Sequence, residues 1–137
     1  MQKKTIFIFL LFLVTSSLFI SCARKTGNNA GQTTVDIFYL PHPPAEAIVK
    51  KVDAILQKFP SIKVNKYNFS DPKNARRIEA HNLREHTPVA IFINDKNRFT
   101  IEGRTVEFKN FPRGDAFVPT LEGSWTYGDF EKVLTSR

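Results

Sequence analysis

Two hydrophobic patterns divide the chain. Ile6 to Val14 (IFIFLLFLV) is an unbroken apolar run. From Val35 onward, apolar and polar residues instead alternate with the periods of strands and helices. Between them Ala23 to Thr34 (ARKTGNNAGQTT) is polar and rich in Gly and Asn, the composition of a flexible tether. The periodic part, residues 35–137, is therefore the single folded domain.

Within that domain, Val35 to Leu40 (VDIFYL) is rich in β-branched and aromatic residues and predicts a strand. Pro41-His42-Pro43-Pro44 stops it, because proline cannot donate to a ladder and suits the first turn of a helix. Ala45 to Phe59 predicts the clearest helix, with apolar residues at 45, 48, 49, 52, 55, 56 and 59 forming one stripe. Ile62 to Phe69 alternates and predicts a half-exposed strand. Asp71-Pro72 is an N-cap with proline at the first helical position. The helix it opens is expected to reach about Leu83, with a stripe of Ala75, Ile78 and Leu83 interrupted by Glu79 and Asn82.

Pro88 to Asn94 is the most apolar strand, expected at the centre of the sheet. Asp95-Lys96-Asn97 is turn chemistry, and Phe99 to Ile101 is expected to return as its hairpin partner. Thr105 to Phe108 follows a second turn at Glu102-Gly103-Arg104. After a Pro/Gly loop, Thr126-Tyr127-Gly128-Asp129 reads as a capping box with Asp at its fourth position, opening a last helix to about Leu134. The order predicts an α/β domain. Its mixed central sheet has four to five strands flanked by about three helices, and its early strands are parallel through a right-handed crossover.

Composition narrows the chemistry. One cysteine in 137 residues leaves no intramolecular disulfide, no Cys-x-x-Cys pair and no multi-cysteine metal site within one chain. The net charge is +7, from 20 Lys plus Arg against 13 Asp plus Glu. Without Lys3 and Lys4 it is 18 against 13, or +5. The charges are mixed and scattered, unlike the clustered basic face of a nucleic-acid binder, so no nucleic-acid partner is expected. No cofactor motif is present, neither a phosphate-cradling glycine loop nor a nucleophile elbow.

The sole cysteine falls where it has a meaning of its own. Lys3 and Lys4 precede the apolar run, and Leu18-Phe19-Ile20-Ser21-Cys22 follows it. This segment resembles the bacterial lipobox, with Phe19 in place of the commonest Leu. The run is short for a spanning helix, which needs roughly 20 apolar residues, so residues 1–21 read as a signal peptide. A plain secretory signal and an uncleaved anchor are the alternatives. The resemblance implies cleavage before Cys22 and lipidation of its sulfur, palmitate being a usual acyl chain. At about 0.8 kcal/mol per buried methylene, several acyl chains hold a protein on a membrane. The chain is expected in a bacterial cell envelope, lipid-anchored and facing the periplasm or the exterior.

The domain's element order is similar to the thioredoxin fold, and local features carry the resemblance. Thioredoxins place Cys-x-x-Cys between a strand and a long helix. Here His42-Pro43-Pro44-Ala45 stands there, with Pro44 at the motif proline, His42 for the first cysteine and Ala45 for the second. Thr87-Pro88 precedes the central strand, where thioredoxins carry a cis-proline facing that turn. The last helix begins after a Gly-rich loop, expanded here over 109–124. Thiol–disulfide exchange needs an attacking and a resolving thiol, and neither His42 nor Ala45 supplies one. The resemblance implies a redox-inactive, non-catalytic domain that keeps a shallow peptide-binding groove at Pro41, His42, Pro43, Pro44, Thr87 and Pro88. Tyr39 and Trp125 would lend aromatic contact, or else lie in the core. The function expected is protein or peptide binding, or assembly.

The alternative is a histidine-based metal-binding protein or enzyme using His42 and His86, completed by a carboxylate such as Glu46. No His-x-x-x-His spacing favours it, and surface histidines without a ligand are the simpler reading of His42, His81 and His86. An acid/base pair of His42 and Glu46 has no further support. Arg113-Gly114-Asp115 spells an adhesion tripeptide but reads as a turn.

Overall fold

The computed structural model describes residues 31–83 and 86–137. The expected signal peptide, Cys22 and the expected tether as far as residue 30 lie outside the described residues. The elements are β1 (Thr34–Tyr39), α1 (Pro43–Leu56), β2 (Lys63–Asn68), a 3₁₀ turn (Pro72–Asn74) running into α2 (Ala75–Ala80), β3 (Val89–Ile93), β4 (Arg98–Ile101), β5 (Arg104–Glu107), a second 3₁₀ turn (Pro119–Leu121) and α3 (Tyr127–Thr135). The described residues are α/β, with a mixed three-stranded sheet, a two-stranded sheet and three helices. No helix among the described residues is long and apolar enough to cross a membrane.

The three-stranded sheet has the order β2-β1-β3. β1 runs parallel to β2, with Asp36 opposite Asn65 and Phe38 opposite Tyr67. It runs antiparallel to β3, with Asp36 opposite Phe92. One face shares a core with α1 and α3: Val35, Ile37, Val89, Ile91 and Ile93 meet Ile48, Val52, Phe130 and Leu134, all buried. The other face is a small cluster of Phe38, Ala90 and Phe92, lined by Tyr67, Phe69, Ile78 and Leu83 under α2.

The expected single sheet of four to five strands is divided, and β4 is not the partner of β3. Asn94 and Asp95 both have positive φ (50° and 60°), and Ile93 and Lys96 exchange both backbone hydrogen bonds across them, which starts a hairpin. The pairing stops there. The edge of β3 is taken by the chain beyond β5, where Ile91 N donates to Phe108 O (2.9 Å) and Asn110 N to Val89 O (2.8 Å). Phe108 is fully buried, and an edge accepts one neighbour. β4 therefore pairs with β5 around Glu102-Gly103 (φ 50° and 79°).

The helices follow local chemistry. α1 has Pro at its first positions after an extended His42, and Lys58 N→Ile55 O and Phe59 N→Leu56 O tighten its exit to i→i+3 bonds. α2 stops at Ala80, short of the expected Leu83. Asn82 takes a left-handed conformation (φ 51°), Leu83 N donates to Ile78 O and Asn82 N to Glu79 O. This is a Schellman close, with Ile78 and Leu83 in one apolar cluster. The Thr126 capping box is present, its hydroxyl accepting from Asp129 N (3.1 Å) while the Asp129 carboxylate accepts from Thr126 N (2.9 Å).

Candidate functional site

β1 ends and β3 begins side by side, and Leu40 N donates to Pro88 O (3.0 Å). The His42 turn and Thr87-Pro88 are thereby neighbours. Leu40, His42, His86 and Pro88 form one wall of an open cleft of about 380 Å³, and Phe111, Phe117, Val118, Thr120 and Leu121 form the other. Phe117 is 64 % exposed, the most exposed large apolar side chain among the described residues. An open cleft with an apolar floor and histidines at the rim suits an apolar segment with some polar character.

The loop wall is held in place from three directions. Gly123 N donates to Phe111 O (2.7 Å) and Phe111 N to Leu121 O (3.0 Å). A Cβ on Gly123 would collide with Lys109 O, so only glycine allows this approach. Asp115 accepts from Lys51 Nζ of α1 (2.8 Å) and Tyr127 OH of α3 (2.7 Å). The bonds from Lys51 and then Tyr127 hold the Asp115 carboxyl below the usual carboxylate range. Burial, then the bond to Asp115, pushes the Tyr127 phenol up. Asp115 of the Arg-Gly-Asp tripeptide is thus spent inside the fold, in a turn closed by Asp115 N→Pro112 O (3.0 Å).

The other residues of the expected groove are spread around this cleft. Pro41, Pro43 and Pro44 are exposed on the same turn but do not line the cavity. Thr87 is 3 % exposed, beneath the rim. Trp125 is fully buried and its Nε1 donates to Asn110 O (3.2 Å), so its placement is that of the core alternative. Tyr39 is half-buried against the main core. The Thr87-Pro88 bond is not the cis bond of the thioredoxin pattern, since no peptide bond is cis among the described residues. Among the described residues, no group of three His, Cys, Asp or Glu at metal-ligand spacing includes His42, Glu46 or His86.

A second polar constellation, not foreseen from the sequence, lies on the α2 face. Asp36 is 2 % exposed in the central strand. It accepts from Asn65 Nδ2 (2.7 Å) and Arg77 Nη2 (2.5 Å). Arg77 also reaches Asp95 Oδ1 (3.3 Å), and His81 Nε2 lies 3.6 Å from that oxygen. The bond to Asp36 raises the Arg77 pKa. The available signal was Asp36 itself, a charge inside an otherwise apolar strand.

Comparison with protein-family models, curated proteins and solved structures finds no match.

Proposed function

We propose that the chain is a lipid-anchored protein of a bacterial cell envelope, with a redox-inactive, thioredoxin-like domain that binds an extended polypeptide segment in the cleft between the His42 turn and the Phe117 loop. The observation that carries the reading is the cleft itself. It stands where the strand-to-helix turn meets the segment before β3, and it offers an exposed phenylalanine to a partner. The β-α-β-α-β order and the antiparallel return on β3 support the thioredoxin-like layout. The single cysteine supports binding over dithiol exchange. The lipobox-like Leu18 to Cys22 supports the anchor.

The test places a photo-crosslinking residue at Thr120 of the full lipidated chain in its own envelope. A discrete adduct is expected that disappears with Phe117→Asp and persists with Asp95→Asn. Adducts insensitive to Phe117→Asp would sink the groove reading. Cys22→Ser should move the chain from the membrane to the soluble fraction; unchanged membrane retention would remove the lipid anchor.

A further inference from the structure

We propose that Asp36, His81 and Asp95 form a binding site for a divalent transition metal, for which zinc is the fitting ion. The Schellman close of α2 leaves His81 at the C-cap, with its ring packed edge-on to Phe92 (centroids 4.2 Å) and beside Phe38 (4.9 Å). The side chain is 8 % exposed. Nδ1 lies 3.1 Å from Arg77 O, a carbonyl that can only accept. Nδ1 therefore carries the hydrogen, and the lone pair of the neutral ring is on Nε2.

Nε2 is buried and has no hydrogen-bond partner among the described residues. It points at a carboxylate, with Asp95 Oδ1 3.6 Å away. Nε2 so near a carboxylate calls for a cation between them, a proton on the ring or a metal ion, and a metal ion would take both groups as ligands. A histidine fixed through Nδ1 by a backbone carbonyl, with Nε2 facing a carboxylate, is the arrangement of metal-ligating imidazoles.

The distances fit an ion. One ligand atom each from Asp36, His81 and Asp95 lie within 4.8 Å of one another. Tetrahedral donors at about 2.0–2.1 Å from zinc are about 3.4 Å apart, close to the His81–Asp95 separation. One imidazole with two carboxylates suits a borderline ion better than Mg²⁺ or Ca²⁺, which take oxygen donors. Asp36 and Asp95 open on a recess shared with Asn65, Tyr67 and the cations Lys63 and Arg77, so a fourth position can take water once Arg77 has moved aside.

Arg77 is the internal competitor. Its guanidinium bridges Asp36 and Asp95, yet its side chain is 43 % exposed, so it can swing outward when an ion enters. This reverses the usual expectation for a buried ion pair. A substitution that removes Arg77 should strengthen ion binding while weakening the ion-free fold.

The test is zinc titration of the full chain, purified without an affinity tag in detergent, by calorimetry and elemental analysis. One zinc per chain is expected, with Mg²⁺ not competing. Asp95→Asn should weaken it at least tenfold; Asp95 is exposed, so folding is preserved. His81→Phe should abolish it, His42→Ala and His86→Ala should leave it unchanged, and Arg77→Met should tighten it at least tenfold with a zinc-dependent rise in Tm. Absence of stoichiometric zinc in both the parent and Arg77→Met overturns the proposal. So does binding that survives Asp95→Asn and His81→Phe, or that is lost instead with His42→Ala and His86→Ala. His42 and His86 line the Phe117 cleft, but zinc binding at Asp36, His81 and Asp95 is read without any cleft partner, so the two proposals stand or fall separately.

Discussion

The two faces of the three-stranded sheet are built on opposite plans from the same strands. In β1, Val35 and Ile37 point to one side and Asp36 and Phe38 to the other. The first side is covered by α1, fourteen residues long, and by α3, and the cluster packed between them is hydrocarbon, the buried Asp129 lying at the start of α3 where it caps Thr126 and pairs with Arg104. The second is covered by α2, six residues long. Its apolar cluster is small, and beside it the buried Asp36 is held by Arg77 and Asn65. A long helix covers its face of the sheet with hydrocarbon. A short one leaves room at its end for charge, and such charge is conspicuous because burying it is costly.

The largest effect should come from the apolar face. Trp125 is fully buried, with Phe108 edge-on to it at 5.7 Å. Trp125→Ala is expected to cost about 4 kcal/mol from the cavity left behind, measured by urea unfolding of the full chain. A loss under about 1 kcal/mol would show that this side is less tightly packed than the other, reversing the contrast.

The polar face should behave differently. Arg77→Met leaves Asp36 buried without its charge partner and is expected to cost about 3 kcal/mol in metal-free protein. Removing both charges, with Asp36→Val and Arg77→Met together, should restore stability to within about 1 kcal/mol of the parent, because apolar replacement of a buried pair is often neutral. Recovery would show that the pair is not retained for stability, which is the expectation for a site with another use. A double variant as unstable as Arg77→Met would mean that the pair itself organises the fold.

The same contrast explains what was legible in the sequence. The stripe from Ala45 to Phe59 disclosed α1 because seven apolar positions repeat at one period. The capping box at Thr126 disclosed the start of α3 by a local rule. The end of α2 was concealed by Asn82, whose left-handed conformation closes the helix while Leu83 continues its apolar face. The partner of β3 was concealed because two nearby segments carry strand-like residues, and only burial of Phe108 decides between them. The neighbourhood of His42 and Pro88 follows from the element order. The cluster of Asp36, His81 and Asp95 does not, since it joins a strand, a helix end and a turn with no fixed spacing.

Acid should weaken the link between the helices of the apolar face and the cleft loop. The Asp115 carboxyl is held below its ordinary range by Lys51 and Tyr127. Its folded pKa is thus lower than its unfolded value near 3.9, so its contribution is complete above about pH 4 and is lost as pH falls through the folded pKa. Asp115→Asn should lower stability at pH 7 by about 1 kcal/mol and flatten its decline below about pH 4, as followed by urea unfolding at a series of pH values. An acid decline as steep as the parent's would assign it to other carboxylates.

The smallest effect on stability should accompany the largest effect on binding. Phe117 is 64 % exposed, and its ring meets Phe111 at 5.4 Å without being enclosed. An exposed aromatic with so little cover adds little to folding, so Phe117→Asp should change stability by no more than about 0.5 kcal/mol. If the cleft takes an apolar segment, the same substitution puts a carboxylate where the segment's apolar side chain must be desolvated, and association should fall at least tenfold. The paired measurement is urea unfolding with crosslinking from Thr120. Unchanged stability with lost crosslinking marks Phe117 as a contact made for a partner. A clear loss of stability would instead make it part of the loop's own packing, and the cleft would then be a by-product of how Phe111 and Leu121 fold against the sheet.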